Sequence, residues 1–277
     1  MSHVRGDGPA GRAYVGTSGW AYQSWRGVFY PPGLPQKQQL AYLSEQLDSV
    51  EINGSFYSLQ RASSYERWAD STPDDFVFAV KGSRFITHMK GLRDADVALA
   101  NFLASGLLAL GHKLGPILWQ LPARLGFDYT TLSEFLAHLP RTTAEAAAIA
   151  EGHDERVPNA HVVTDADRPM RFAVEVRNPD YLTPRFTDLL ARFGVAAVIA
   201  DSAGSYPMID EVTADFVYVR LHGHQQLYVS GYTHELIESW ATKTRRWAED
   251  GDVFVYFDND ANVMAPRDAS ALKSRLL

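Results

Sequence analysis

The stretch from Asp48 to Tyr57, read D-S-V-E-I-N-G-S-F-Y, constrains the fold of this chain more than any other. Val50 and Ile52 alternate with Glu51 and Asn53, so one face is apolar and the other carries an acid and an amide. Alternation with period two is the signature of a strand. In a protein built of repeated strand–helix units, such a strand turns its carboxylate towards the interior, at the end of a barrel.

The rest of the chain repeats the arrangement. Further apolar strands are expected at Ala13–Gly16, Phe76–Lys81, Ile117–Leu121, Phe172–Arg177, Val195–Asp201, Phe216–His222 and Val253–Asp258. Between them, helical spacing or composition marks Gln38–Leu47, Ser64–Ala69, Ala95–Leu110, Thr131–Leu139, Pro184–Phe193 and His234–Glu249, with Ala269–Leu277 closing the chain. Thr142–Glu151 is Ala-rich and helical, with Thr142 or Thr143 as its cap. The polar segment Gly152–Arg168 is assigned no element. Eight near-continuous apolar strands separated by helices imply parallel pairing with both faces covered. Eight such units close as an α/β fold of the TIM type, a (β/α)8 barrel. An open doubly wound sheet is the alternative, but no G-x-G-x-x-G follows any strand.

The length of 277 residues suits one barrel domain, taken as 13–277, because such a barrel uses about 250 residues. Residues 1–12 are polar and Gly-rich, and are expected to be a flexible tail rather than a leader or anchor. The Arg5-Gly6-Asp7 triplet within them reads as chance. The absence of cysteine excludes disulfides and thiolate metal sites, and with them favours a cytoplasmic location. No apolar run approaches the roughly 18 residues of a membrane span. A net charge of -7 disfavours indiscriminate binding to nucleic acid while leaving a local basic pocket open. Nothing in the pattern specifies an oligomeric state.

Active sites of such barrels lie at the C-terminal strand ends. The residues that alternation turns inward there are Ser18, Glu51 with Asn53, Lys81, Gln120, Glu175 with Arg177, Asp201, Arg220 with His222, and Asp258 or Asn259. Burying so many charges is costly unless they pair or meet a ligand.

The motifs V-G-T-S-G-W, V-E-I-N-x-S-F-Y, F-x-F-A-V-K, I-T-H, L-G-P-I-L-W-Q-L-P, A-V-E-x-R, Y-V-R-L-H-G and Y-F-D-N-D run from Val15 to Asp260. Together they resemble the family called domain of unknown function 72, the YecE-like proteins. The resemblance implies a TIM-type barrel and no established activity; the family is loosely described as sugar-isomerase-related. The fifth-strand motif of the family usually continues with His and a following Trp. Asn178 and Tyr181 stand there in this chain, which leaves the role of that loop open.

Three chemistries fit the inward residues. Glu51 and Glu175 can divide into acid and base if their environments separate their pKa values, or can neutralise Lys81, Arg177 or Arg220. Arg220, Lys81 and Arg177, with His88 and Arg84, form a cationic rim suited to phosphate or carboxylate. His222 shares a strand face with Arg220, and His224 falls in the loop beyond as an exposed histidine. Glu51, Glu175, Asp201, His222 and Asp258 could instead surround a divalent metal, although the adjacent Arg and Lys would repel it. The aromatics Trp20, Tyr22, Trp25, Phe29 and Tyr30, and the pair Phe56-Tyr57, either stack on a ligand or pack as a satellite core under long loops.

The expectation is an enzyme, isomerase or hydrolase, acting on a small anionic carbohydrate-like metabolite or phosphate without a dedicated cofactor. Glu51 and Glu175 would transfer protons, with His222 as auxiliary. Ser18, Trp20, Asn53, Tyr57, Lys81, Gln120, Arg177, Asp201, Arg220, Asp258 and Asn259 would bind substrate. The alternatives are a metal-dependent version of the same site, or a non-catalytic module binding a metabolite or nucleic acid.

Overall fold

A computed structural model describes residues 11–277. Eight parallel strands close a barrel in chain order: β1 (Ala13–Ser18), β2 (Ser49–Ile52), β3 (Val77–Lys81), β4 (Leu114–Gln120), β5 (Phe172–Glu175), β6 (Ala196–Asp201), β7 (Phe216–Leu221) and β8 (Asp252–Phe257). The ring shuts where β1 pairs with β8, Ala13 opposite Val253. Helices surround it: α1 (Gln39–Gln46), α2 (Gly54–Tyr57), α3 (Ala62–Asp70), α4 (Asp96–Ala104), α5 (Tyr129–His138), α6 (Thr143–Ala150), α7 (Pro184–Phe193), α8 (His234–Ala248) and α9 (Met264–Leu276). This is a TIM-type (β/α)8 barrel. No helix among the described residues is long and apolar enough to cross a membrane.

Strand residues of one parity fill the barrel interior, where Ala79, Leu118, Ala173, Val198, Tyr218 and Tyr256 pack together. Residues of the other parity, such as Val50, Val80 and Val219, face the helices. The C-terminal layer of the inward set is polar, which is where a barrel holds its chemistry. Ser18 lies opposite Glu51, Gln120 opposite Glu175, and Arg220 between Ala200 and Tyr256. Gly82, directly after β3, lies against Trp119; a Cβ there would stand 2.2 Å from the indole. Trp119 is in turn buried against Phe102 and Phe135, so the end of β3 is held on a packed aromatic base.

The local signals act as expected in several places. Thr142 caps α6 by accepting a hydrogen bond from Glu145 N, and Thr233 caps α8 through Leu236 N. Three expectations need correction. The helix expected over Ala95–Leu110 ends at Ala104, because Gly106 turns left-handed (φ 115°) and approaches α3 so closely that a Cβ would meet Ala62 at 2.3 Å. A tighter helical turn over Leu107–Lys113 follows. The extended stretch Asp48–Tyr57 is strand only to Ile52; Gly54–Tyr57 coils into a helical turn whose Ser55 Oγ donates to Ile52 O and Lys81 O. The last helix begins at Met264, its Pro266 sitting in the first turn where no intrahelical donor is lost.

Residues 1–10 of the expected tail, with the Arg5-Gly6-Asp7 triplet, lie outside the described residues. Gly11 N donates to Ala248 O and Arg12 N to Asp252 Oδ1, both at 2.9 Å. The segment Gly152–Arg168 carries no helix or strand, and is tied back by Asn101, which exchanges two hydrogen bonds with Asp154.

Candidate functional site

Arg220 occupies the centre of the polar layer. It projects inward from β7 and is 1% exposed. Its Nε and Nη2 donate to the two oxygens of Glu51 at 3.1 and 2.8 Å. Nη1 donates to Glu175 Oε2, and Nη2 also reaches Asp258 Oδ2 at 3.1 Å and Ser18 Oγ at 3.3 Å. Tyr218, two residues earlier on the same face, donates to Glu51 Oε2 at 2.6 Å. Three carboxylates from β2, β5 and the end of β8 therefore share one guanidinium. Burial alone would push Glu175 and Asp258 up. Burial is the largest single influence, but Arg220 together with Arg177 at Glu175, and Arg220 together with His222 at Asp258, outweigh it and hold both carboxyls below their usual range.

Arg177, just past β5, donates through Nε to Glu175 Oε1 at 3.1 Å. Its other two nitrogens meet the hydroxyls of Tyr206 (3.2 Å) and Tyr228 (3.1 Å), and the guanidinium stacks over the Tyr206 ring at 4.3 Å. His222 Nδ1 lies 2.9 Å from Asp258 Oδ2. Asp258 is held ionised and can only accept, so Nδ1 carries the hydrogen. Nε2 is then the nitrogen turned to the ring. It lies 3.7 Å from Glu175 Oε1, too far for a hydrogen bond, and is buried with no hydrogen-bond partner among the described residues. The backbone after His222 turns back sharply at Gly223 (φ 106°), where a Cβ would strike Gln226 O at 2.5 Å.

Lys81 differs from both arginines. It ends β3 inside the barrel, 8% exposed, with its ammonium 4.3 Å from the centroid of the Phe56 ring. Among the described residues it has no carboxylate within salt-bridge distance and no hydrogen-bond acceptor. Burial lowers its pKa to about 8, and the nearby Arg220 adds to the effect. Asp260, two residues beyond Asp258, shows the reverse. Burial, and then the charge of Asp258, raise its carboxyl to about 8, and its Oδ1 is buried without a partner.

The barrel brings together Ser18, Glu51, Lys81, Glu175, Arg177, Arg220, His222 and Asp258, with Gln120 beside them donating to Leu121 O. Other expected residues fall elsewhere. Asp201 belongs to the opposite parity from Ala196, Val198 and Ala200, so it faces out of the barrel and accepts from His224 Nδ1 at 3.0 Å. Asn259 turns away to Asp268 and Ser230 O, tying the β8 loop to α9. Trp20 packs edge-on against Trp68 of α3. Tyr57 stands on the rim, 70% exposed, edge-on to Phe56. Asn53 is half-buried at the start of α2 with Oδ1 unpartnered. Trp25, Phe29 and Tyr30 pack with Tyr42, and Trp25 and Tyr30 join the main core between strands and helices rather than a separate one. His88 does not join the cationic rim: burial, and then Arg124, lower its pKa to about 4.

The five residues expected around a divalent cation are not assembled for one. Asp201 is outside the barrel, and the Arg220 guanidinium stands among Glu51, Glu175 and Asp258. Among the described residues no three His, Asp or Glu side chains converge in a way that could hold a metal ion. Sequence reasoning missed Tyr218, Tyr206, Tyr228 and Asp260. Tyr218 was recoverable from parity, lying two positions before Arg220. The two loop tyrosines carry no spacing signal.

Comparison with known proteins agrees with the barrel fold. The model of the family described as "Protein of unknown function DUF72" matches residues 14–277. UPF0759 protein YunF of Bacillus subtilis (strain 168) is 25% identical over 284 residues, covering 90% of this chain and 89% of that protein. UPF0759 protein YecE of Escherichia coli (strain K12) is 22% identical over 257 residues, covering 91% and 88%. The crystal structure of a DUF72 family protein from Thermotoga maritima MSB8 superposes with a TM-score of 0.76 at 23% identity, covering 96% of this chain and 99% of that one. One from Enterococcus faecalis V583 gives 0.68 at 18% identity, covering 96% and 98%. These likenesses concern the fold.

Proposed function

The chain belongs to the DUF72 family, and from that premise we propose that it is an enzyme acting on a small anionic, carbohydrate-like metabolite at the C-terminal mouth of its barrel. The observation that carries this reading is Lys81, a largely buried side chain whose ammonium keeps only a little contact with solvent and has no acceptor among the described residues. An unpaired charge largely removed from water is destabilising. A cation left so at the strand ends of a barrel is accounted for by an anion that completes it, a phosphate or carboxylate.

The proton-transfer roles shift from those the sequence favours. Glu51 and Glu175 are both bonded to Arg220, and the positive charge around Glu175 opposes its protonation. They serve to fix Arg220 and the strand ends rather than to exchange protons. His222 takes the role of base: Asp258 orients it through Nδ1, and Nε2 faces the ring with no hydrogen-bond partner among the described residues. Two-carboxylate glycoside hydrolysis needs one carboxyl held as the acid, which the pairing with Arg220 opposes. A proton shift next to a carbonyl, as in an isomerase, fits better, with Lys81 stabilising the developing oxyanion.

The test is thermal unfolding of the full chain and of Lys81→Met across phosphate, sugar phosphates and sugar acids. A ligand at one hundred times its dissociation constant adds about 2.7 kcal/mol. For a domain of this size each kcal/mol raises the midpoint by about 2–4 °C. A rise in the unsubstituted chain that is lost in Lys81→Met is expected. No rise with any anion would remove the reading. For the compound that binds, exchange of its carbon-bound hydrogen with deuterium oxide should depend on His222 and vanish in His222→Gln.

A further inference from the structure

We propose that Lys81 is a covalent nucleophile that forms an imine with the carbonyl of its substrate, which makes the metabolite a phosphorylated or carboxylated aldehyde or ketone. The inference rests on the anionic-metabolite reading above and deepens it.

The geometry around Lys81 argues for more than a point charge. The residue is anchored at its backbone, where Ser55 Oγ donates to Lys81 O at 2.6 Å and Gly82 N donates to Leu118 O at 2.8 Å. Its side chain is therefore presented by a rigid strand end rather than by a loop. The ammonium lies against the face of Phe56, and Phe56 is backed edge-on by His88. The charged and titratable groups that act on it are Arg220, Glu51, Glu175 and Asp258, whose charge Arg220 already meets, and His88 across Phe56. An amine desolvated against an aromatic wall and beside a second cation loses its proton more readily than one in water. A pKa of about 8 leaves a useful fraction as free amine near neutral pH. A lysine meant only to grip an anion would gain from staying fully charged. Arg177 and Arg220 also hold their charge here, and both are committed to carboxylates.

The step balances without an oxidant or reductant. The free amine of Lys81 forms a C–N bond to the carbonyl carbon while the C=O pair moves to oxygen. A proton passes from nitrogen to that oxygen to give the carbinolamine. The proton that the ammonium gave up is returned to that hydroxyl, which leaves as water while the nitrogen lone pair forms the C=N bond. The net change is ammonium plus carbonyl to iminium plus water. The iminium draws electrons from the adjacent carbon more strongly than the carbonyl did. His222 Nε2, from the opposite side of the ring, can then take a proton from that carbon.

The test uses the full chain with dihydroxyacetone phosphate, glyceraldehyde 3-phosphate and pyruvate, each followed by sodium borohydride. Intact mass and peptide mapping then read the product. One reduced adduct per chain, on Lys81, dependent on borohydride and absent in Lys81→Arg, is the expected result. No adduct on Lys81, or label spread equally over lysines such as Lys37 and Lys243, would overturn the imine. Peptide mapping of the unsubstituted chain locates the adduct by itself, so the outcome does not depend on whether Lys81→Arg folds. The same compounds are run in thermal unfolding without borohydride. A raised midpoint with no adduct removes the imine and keeps the anion pocket; no shift and no adduct removes both.

Discussion

Arg220 meets Glu51 through two adjacent nitrogens, Nε at 3.1 Å and Nη2 at 2.8 Å, with both residues almost wholly out of water. This two-pronged pairing is one a lysine cannot reproduce. The same guanidinium also bonds Glu175, Asp258 and Ser18, so the ends of β1, β2, β5 and β8 are tied to β7 through one side chain.

Removing that side chain should therefore cost far more than one hydrogen bond. Arg220→Met leaves buried carboxylates without their counter-charge, a change that typically costs about 3–5 kcal/mol. Arg220→Lys restores a charge without the fork and should fall between. Urea unfolding of the three proteins measures this. A cost for Arg220→Met under about 1 kcal/mol would mean that the carboxylates are not held by Arg220 as the geometry implies.

Acid should undo the same network. Burial pushes Glu175 and Asp258 up, and Arg220, with Arg177 and His222, pulls both below their ordinary values. A carboxyl lowered on folding stabilises the fold fully above its unfolded pKa, about 4, and loses that contribution as pH falls through the folded value. Stability should thus drop as pH is lowered from about 5, and the drop should be shallower in Glu175→Gln. Equal slopes in the two proteins would exclude Glu175 as a source of the acid sensitivity.

The barrel was legible because its strands are short, apolar and separated by mostly helical segments, and the inward positions of Glu51, Lys81, Glu175 and Arg220 followed from alternation. Asp201 was not, for a physical reason. β6 is buried on both faces, so Ala196 to Asp201 offers no polar alternation to distinguish barrel interior from helix side. Asn259 was misplaced because its partners, Asp268 and Ser230, come from α9 and the β7–α8 loop, and only tertiary packing brings them together. Which carboxyl is charged was likewise invisible: Asp258 and Asp260 are two residues apart and burial raises both, but Arg220 and His222 bring Asp258 down while the charge of Asp258 pushes Asp260 further up.

Asp260 gives a prediction of the opposite sign to Glu175. Its carboxyl is raised to about 8 by burial and by Asp258, so between about 4 and 8 the folded chain holds a proton the unfolded chain has released. Its contribution is intact at low pH and fades as pH rises through that window. Asp260→Asn should be close to the unsubstituted chain in stability at pH 4 and more stable at pH 9. A difference that did not grow with pH would show the carboxyl to be ionised in the fold.

Lys81 links stability to binding, and the two should respond to pH in opposite directions. Burial, then Arg220, lowers its pKa from 10.5 to about 8. Between those values the unfolded chain binds the extra proton, so the stability of the ligand-free protein rises with pH across the window. Below it, the buried ammonium costs up to about 3 kcal/mol, the equivalent of the shift. Lys81→Met escapes that cost, and should be more stable than the unsubstituted chain at pH 7, with the gap closing by pH 10. Affinity for an anion such as phosphate needs the charged form, so it should weaken as pH rises through about 8. Urea titrations and phosphate binding followed from pH 6 to 10 measure both. Stability and affinity falling together over that range would mean that Lys81 is paired in solution, and the anion site would have to be sought at another cation.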